Sequence, residues 1–109
     1  MAQTRYKLPY DVKLCCIGFV RGYARRLEAE SLSSAEKKIQ IAIEQAAVCI
    51  GADLGDEGVR ARLREQIFES CILGRRYCFE YSALPMSRSV FYERRRKFLY
   101  DVAEYLDIS

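Results

Sequence analysis

Histidine is absent from this sequence of 109 residues, and its five cysteines form no Cys-x-x-Cys pair. These two absences remove the usual spacings of zinc ligands. A glycine-rich phosphate loop and a nucleophile motif are also missing, and the acidic residues are scattered rather than paired. We therefore expect no enzymatic activity, no bound metal and no cofactor. This expectation does not cover a pair of carboxylates from distant parts of the chain that only folding brings together.

Long apolar runs are missing as well. No run approaches the roughly 20 residues that span a bilayer, and the residues before Leu8 are too polar for a signal peptide. An odd number of cysteines without a secretion signal argues against a disulfide framework. The cysteines are Cys15, Cys16, Cys49, Cys71 and Cys78. We expect a soluble, cytoplasmic protein that makes no contact with a membrane and whose cysteines are reduced and buried.

Proline is scarce, and long stretches contain no glycine. The only prolines are Pro9 and Pro85, so helix is favoured almost throughout. A chain of this length suits a single core. We predict an all-α fold, a small helical domain of four to five helices over residues 1–109. Residues 8–74 form a helical scaffold, and residues 75–109 form a helix-turn-helix-like part that ends in a long basic helix.

Apolar residues at helical spacing predict the first helix. It begins at Pro9, which suits the first turn, and extends to about Glu30. Its expected buried stripe is Val12, Cys15 with Cys16, Phe19, Tyr23 and Leu27. Three arginines flank this stripe and are either solvated or in contact with phosphate, namely Arg21, Arg25 and Arg26.

Capping signals predict the next two helices. One begins near Ser34, because Ser33 and Glu36 match a capping box, and it stops at Gly51. The other has Asp56 or Glu57 in its first turn and ends at Gly74. The apolar positions of the two helices are Ile39, Ala42, Ile43, Ala46, Ile50, Val59, Leu63, Ile67, Phe68, Cys71 and Ile72. From Arg75 to Ala83 the pattern fits a short helix, an irregular turn or a strand.

Positive charge is concentrated in the C-terminal third. Residues 75–97 contain seven basic and two acidic residues, a net charge of +5. The remaining residues sum to −2, because the whole chain carries +3. This asymmetry indicates a polyanionic partner better than the total charge does.

A predicted turn and a helix cap precede the basic cluster. Pro85 disfavours helical geometry at Leu84, and Ser87 suits the N-cap of the next helix. Apolar residues then recur at steps of seven, four and four, at Phe91, Phe98, Val102 and Leu106. One face is therefore expected to be buried and the basic side chains to lie largely on the other. A turn followed by a capped basic helix is typical of the second half of a helix-turn-helix.

In a helix-turn-helix, the first turns of the second helix enter the major groove of double-stranded DNA. Arginine can read guanine edges, glutamate can accept from cytosine, and serine suits a base or a phosphate. The predicted base contacts are Arg88, Ser89, Tyr92, Glu93 and Arg96. The predicted phosphate contacts are Arg75, Arg76, Ser87, Arg94, Arg95 and Lys97. Arg95 lies one turn after Phe91 and therefore points partly inward. The alternative to a phosphate contact is that its side chain packs against the domain.

Residues 84–100 read Leu-Pro-Met-Ser-Arg-Ser-Val-Phe-Tyr-Glu-Arg-Arg-Arg-Lys-Phe-Leu-Tyr, and residues 102–106 read Val-Ala-Glu-Tyr-Leu. This pattern resembles the RinA/ArpU group of phage and prophage late-gene transcription regulators. Those small helical proteins have a C-terminal part similar to the DNA-binding region 4 of bacterial sigma factors. The order of the preceding elements is similar too. The resemblance implies a recognition helix at Ser87 to Arg96, a supporting helix at Phe79 to Leu84, and activation of phage late operons.

Other interpretations of the same residues remain open. The cluster from Arg94 to Lys97 also fits a solvated face or an RNA-binding strip. A helical protein-interaction module that binds RNA polymerase or another acidic partner through the basic face is the alternative to a DNA-binding regulator. Tyr100 and Tyr105, beside Val102 and Leu106, suit either the protein's own core or the seam of a homodimer.

Overall fold

The computed structural model describes residues 6–74 and 84–108, which form five α-helices and no strand. The helices are α1 (Tyr10–Arg21), α2 (Tyr23–Glu28), α3 (Ser34–Cys49), α4 (Glu57–Leu73) and α5 (Arg88–Leu106). The predicted all-α fold with a long C-terminal helix is confirmed. Apart from Leu84, the predicted supporting helix lies outside the described residues, as does the segment from Arg75 to Ala83.

The predicted caps of α3 are present. The Ser33 hydroxyl accepts a hydrogen bond from the Glu36 backbone N–H (3.2 Å), and the Glu36 carboxylate accepts one from the Ser33 backbone N–H (3.3 Å). This reciprocal pair is the capping box. Beyond the helix, Gly51 has a φ of +68°, a left-handed conformation that glycine adopts without a steric cost. Both ends of α3 are therefore where the sequence predicts them.

The ends of α4 also agree with prediction. Asp56 is the N-cap, and its carboxylate accepts a hydrogen bond from the backbone N–H of Val59 (3.1 Å). Gly74 ends the helix with a φ of +67°. The loop between α3 and α4 is consequently short and anchored at both ends, which fixes the position of the acidic residues within it.

A single hydrophobic core lies between α5 and the other helices. The helix α5 packs mainly against α3 and also against α1, while α4 packs against α1. The predicted stripe of α5 is buried, at Phe91, Phe98, Val102 and Leu106. It meets buried side chains of α1, α3 and α4, namely Cys16, Val20, Ala42, Ile43, Ala46, Leu63 and Ile67. The inner face of α5 is therefore part of the core along its whole length.

The N-terminal region departs from prediction, because two helices replace the single one. They are separated at Gly22, and Arg26 is 4% exposed whereas Leu27 is 59% exposed. The Arg26 guanidinium donates hydrogen bonds to the Phe19 carbonyl and to the Gln40 side chain. A Cβ at Gly22 would lie 2.5 Å from Arg26 Nη1. The predicted stripe was thus wrong at Leu27, because hydrogen bonding to α3 makes Arg26 the buried residue of this turn.

The cysteines are free thiols in the described ranges, but not all are buried. Cys16 and Cys71 are buried, Cys49 is half-buried, and Cys15 is exposed. Neighbouring residues of a helix face different directions, so Cys15 and Cys16 do not share the core side. The expectation that all would be buried was wrong for Cys15, and Cys78 lies outside the described residues. Burial raises the pKa of Cys16 to about 11, which keeps it a protonated thiol.

Among residues 6–74 and 84–108, every helix is too short or too polar to form a membrane span.

Candidate nucleic-acid interface

The N-terminal turn of α5 is anchored by the residues before it. Leu84 and Met86 are buried on either side of exposed Pro85. Ser87 is extended, with φ −74° and ψ 166°, and its hydroxyl accepts a hydrogen bond from the Val90 backbone N–H (3.3 Å). The predicted N-cap is confirmed. Because the turn is held by two buried side chains and a cap, the first turn of α5 is fixed relative to the core.

Three of the predicted base contacts follow one stripe of α5 that is turned away from the core. Ser89, Glu93 and Arg96 are spaced by four and three residues, which places them on the same helix face. Ser89 and Arg96 are exposed, and Glu93 is half-buried. Arg96 Nη1 lies 2.6 Å from a Glu93 carboxylate oxygen. We call these three residues the outer stripe of α5.

The other two predicted base contacts flank the outer stripe. Arg88 is exposed in the first helical turn, and within the described residues no ion pair involves it. Tyr92 is half-buried, with its ring centroid 5.4 Å from that of Phe91. The structure therefore leaves Arg88 available to a ligand, whereas the Tyr92 ring is partly engaged with the core.

The predicted phosphate contacts on α5 lie at its edges and are half-buried rather than free on the outer face. The two terminal nitrogens of Arg94, Nη1 and Nη2, each lie 2.8 Å from one carboxylate oxygen of Asp53. Lys97 Nζ is 2.7 Å from an Asp101 oxygen, and hydrogen bonding to this carboxylate raises the pKa of Lys97. These cations are therefore already paired within the protein.

The Arg95 side chain packs against the protein itself, which is the alternative to a phosphate contact that the sequence left open. Its guanidinium carbon is 5.9 Å from the centroid of the Tyr92 ring, a cation–π distance. Burial raises the pKa of the neighbouring Cys71, and the positive charge of Arg95 opposes this shift in part. Of the remaining predicted phosphate contacts, Ser87 is the N-cap, and Arg75 and Arg76 lie outside the described residues.

The Arg94–Asp53 pair joins α5 to the loop between α3 and α4. The hydrogen bonds from Arg94 lower the pKa of Asp53 to about 2 and raise the pKa of Arg94. The partners are 41 residues apart in sequence, so no local pattern connects them. Asp101, in contrast, follows Lys97 by four residues, a helical spacing that favours ion pairs and from which this pair could have been predicted.

The arginines of the N-terminal helices have partners of their own. Arg21 Nε donates to the Cys71 carbonyl at 3.0 Å, and Arg25 lies 3.5 Å from Glu36. Arg26 is buried, and its burial lowers its pKa. Of the three, only the side chains of Arg21 and Arg25 are accessible to a phosphate.

The two tyrosines considered for a dimer seam differ in exposure. Tyr100 is half-buried, and its ring centroid is 5.5 Å from that of Tyr6. Tyr105 is exposed near the end of α5. Of these two rings, Tyr105 therefore has the larger surface available to a second chain.

A cavity of about 560 Å³ lies between the C-terminal end of α3 and the neighbouring side of α5. Its floor includes Ala46 and Phe98, and its rim includes Asp53, Arg94 and Lys97. Within the described ranges, acidic and cysteine side chains form no group of three that could bind a metal ion. The cavity is therefore lined by ion-paired side chains next to an apolar surface.

Comparison with protein-family models finds no match, and comparisons with curated proteins and with solved structures find none either.

Proposed function

We propose that this protein is a DNA-binding transcriptional regulator of phage or prophage genes, which inserts residues 87–97 of α5 in the major groove. The observation that carries the proposal is the capped first turn of α5. It presents exposed Arg88 beside Ser89, the first residue of the outer stripe, on a helix whose other face is core. Positioning by a rigid scaffold is what direct reading of bases requires.

Electrostatics support the same proposal. The cations of residues 75–97 outnumber the acids by five, which favours association with a polyanion. The guanidinium groups of Arg88 and Arg96 can make bidentate contacts to guanine, and Glu93 can accept from cytosine when Arg96 turns to a base. In this proposal Lys97 and Arg94 contact phosphates and set affinity rather than sequence preference.

The test is fluorescence anisotropy of the protein with random duplexes and with fragments from its own gene neighbourhood, at several salt concentrations. Specific binding gives one preferred fragment, with log K falling by about 0.9 per phosphate contact for each log unit of salt. Weak binding that is equal for all fragments and vanishes near physiological salt would overturn the proposal.

Alanine substitutions separate the two kinds of contact. Arg88→Ala or Arg96→Ala is expected to relax site preference by about 1–3 kcal/mol, because each removes a candidate base contact. Lys97→Ala is expected to weaken binding to all sequences alike and to reduce the salt slope by about 1. Competition with single-base variants of the preferred site measures the difference.

Arg62 provides the matched control, because it is an exposed arginine on α4. Arg62→Ala removes the same charge and should leave both affinity and preference unchanged. Equal losses from Arg88→Ala, Arg96→Ala and Lys97→Ala on every sequence would contradict base reading.

A second candidate is a helical module that binds RNA polymerase or another acidic protein through the same face. It is favoured by Val90, an apolar side chain 43% exposed beside the basic residues, and by the internal pairing of Arg94, Arg96 and Lys97. Coprecipitation with polymerase that survives nuclease, together with no DNA binding at physiological salt, would favour this module.

A further inference from the structure

Asp53 holds Arg94 by the arrangement that guanidinium also uses for phosphate. Two parallel N–H···O bonds of 2.8 Å join the planar fork of Arg94 to both carboxylate oxygens. Phosphate oxygens accept from arginine in the same bidentate geometry. A DNA phosphate and Asp53 would therefore compete for the same donors.

Among the described residues, this pair differs from the other two ion pairs of α5 in the position of its acidic residue. Glu93 and Asp101 are on α5 itself, so they accompany the helix wherever it binds. Asp53 belongs to the loop between α3 and α4, and its side chain is 66% exposed. A loop residue that solvent reaches so freely can release its partner while α5 stays packed.

We propose that Asp53 restrains DNA binding by occupying Arg94, and that a DNA phosphate displaces the Asp53 carboxylate when the complex forms. The inference rests on the proposed function and adds a regulatory contact to the same surface. An exposed ion pair is weak and is screened by salt, so a polyanion can displace it. Because the pKa of Asp53 is about 2, its carboxylate stays charged and the restraint persists throughout the neutral pH range.

Asp53→Ala tests the restraint by freeing Arg94. In anisotropy titrations with one duplex, the variant is expected to bind about 1.5-fold to fivefold tighter at low salt, because Arg94 then reaches a phosphate without first breaking an exposed ion pair. The gain should shrink as the salt concentration rises, because salt screens the ion pair of the unchanged protein. The gain should disappear when Arg94→Ala is added, because the released donor is then absent.

Glu57→Ala is the matched control. Glu57 is an exposed acid in the first turn of α4, close in sequence to Asp53. Its removal changes the net charge equally but frees none of the described arginines, so the affinity should stay close to that of the unchanged protein. An equal gain in both variants would show a general charge effect and overturn the inference.

The remaining outcomes separate the restraint from the proposed function. If the unchanged protein binds DNA and Asp53→Ala binds no better, or binds less well with a lower unfolding midpoint, the pair is a structural brace and the restraint is refuted. In that case the proposed function stands. If neither form binds any duplex, the proposed function fails and the restraint falls with it.

Discussion

Phe98→Ala is expected to lower the free energy of unfolding by about 3–5 kcal/mol. Phe98 is buried in α5, and its ring centroid lies 5.2 Å from that of Phe68 on α4. The substitution removes the apolar burial of a whole ring and leaves a cavity where α5 meets the other helices. A domain of this size has a total stability of about 5–15 kcal/mol, so much of it would be lost. Urea unfolding followed by circular dichroism measures the change.

Val90→Ala is the control on the same helix, because Val90 is 43% exposed and lies outside the core. Its expected effect is within about 0.5 kcal/mol. Similar losses from Phe98→Ala and Val90→Ala would contradict the inward and outward faces described for α5. The two variants also show whether a loss of DNA binding reflects unfolding or a missing contact.

Gln40→Leu is expected to cost about 1.5–3 kcal/mol, although leucine is similar in size and apolar. Gln40 is 6% exposed, and its side-chain oxygen accepts a hydrogen bond of 2.6 Å from Arg26 Nε. A hydrogen bond to a charged group is worth about this much, and the buried guanidinium would keep its charge without this acceptor. Gln40 also donates to the Tyr23 carbonyl (3.3 Å), so two of the hydrogen bonds between α2 and α3 would be lost.

Two further variants decide whether the loss comes from the buried charge. Gln45→Leu changes an exposed glutamine of the same helix and should stay within about 0.5 kcal/mol. Adding Arg26→Met to Gln40→Leu replaces both partners by apolar groups and should recover much of the loss. A double variant no more stable than Gln40→Leu alone would mean that packing, rather than the unpaired guanidinium, causes the destabilisation.

The features that the sequence predicted well depend on residues close together in the chain. The Ser33–Glu36 capping box, the Ser87 cap, the acidic first turn of α4 at Glu57 and the glycine at position 74 each act within about four residues. Their side-chain chemistry is compatible with few backbone conformations, so helix ends follow from local composition. The core face of α5 followed from spacing alone, because its apolar residues recur at a helical period.

The features that sequence reasoning missed depend on distant partners. Leu27 is more apolar than Arg26, but hydrogen bonds to Gln40, 14 residues away, and to the Phe19 carbonyl make Arg26 the buried one. The charge pattern likewise placed Arg94 among the residues free to meet phosphate. It gave no sign that Asp53, 41 residues earlier, would hydrogen bond to both terminal nitrogens of Arg94. Such pairings depend on the fold, and no regular spacing of residues in the sequence indicates them.

The two faces of α5 separate what can vary in evolution from what cannot. Its 19 residues carry six buried side chains, while Ser89 and Arg96 point away from them. Exchanges at exposed positions of this kind usually change stability by less than about 0.5 kcal/mol. A lineage could therefore acquire a new target site by replacing a few residues of the outer stripe, without first stabilising the domain. The inner face would meanwhile accept little beyond swaps that conserve volume.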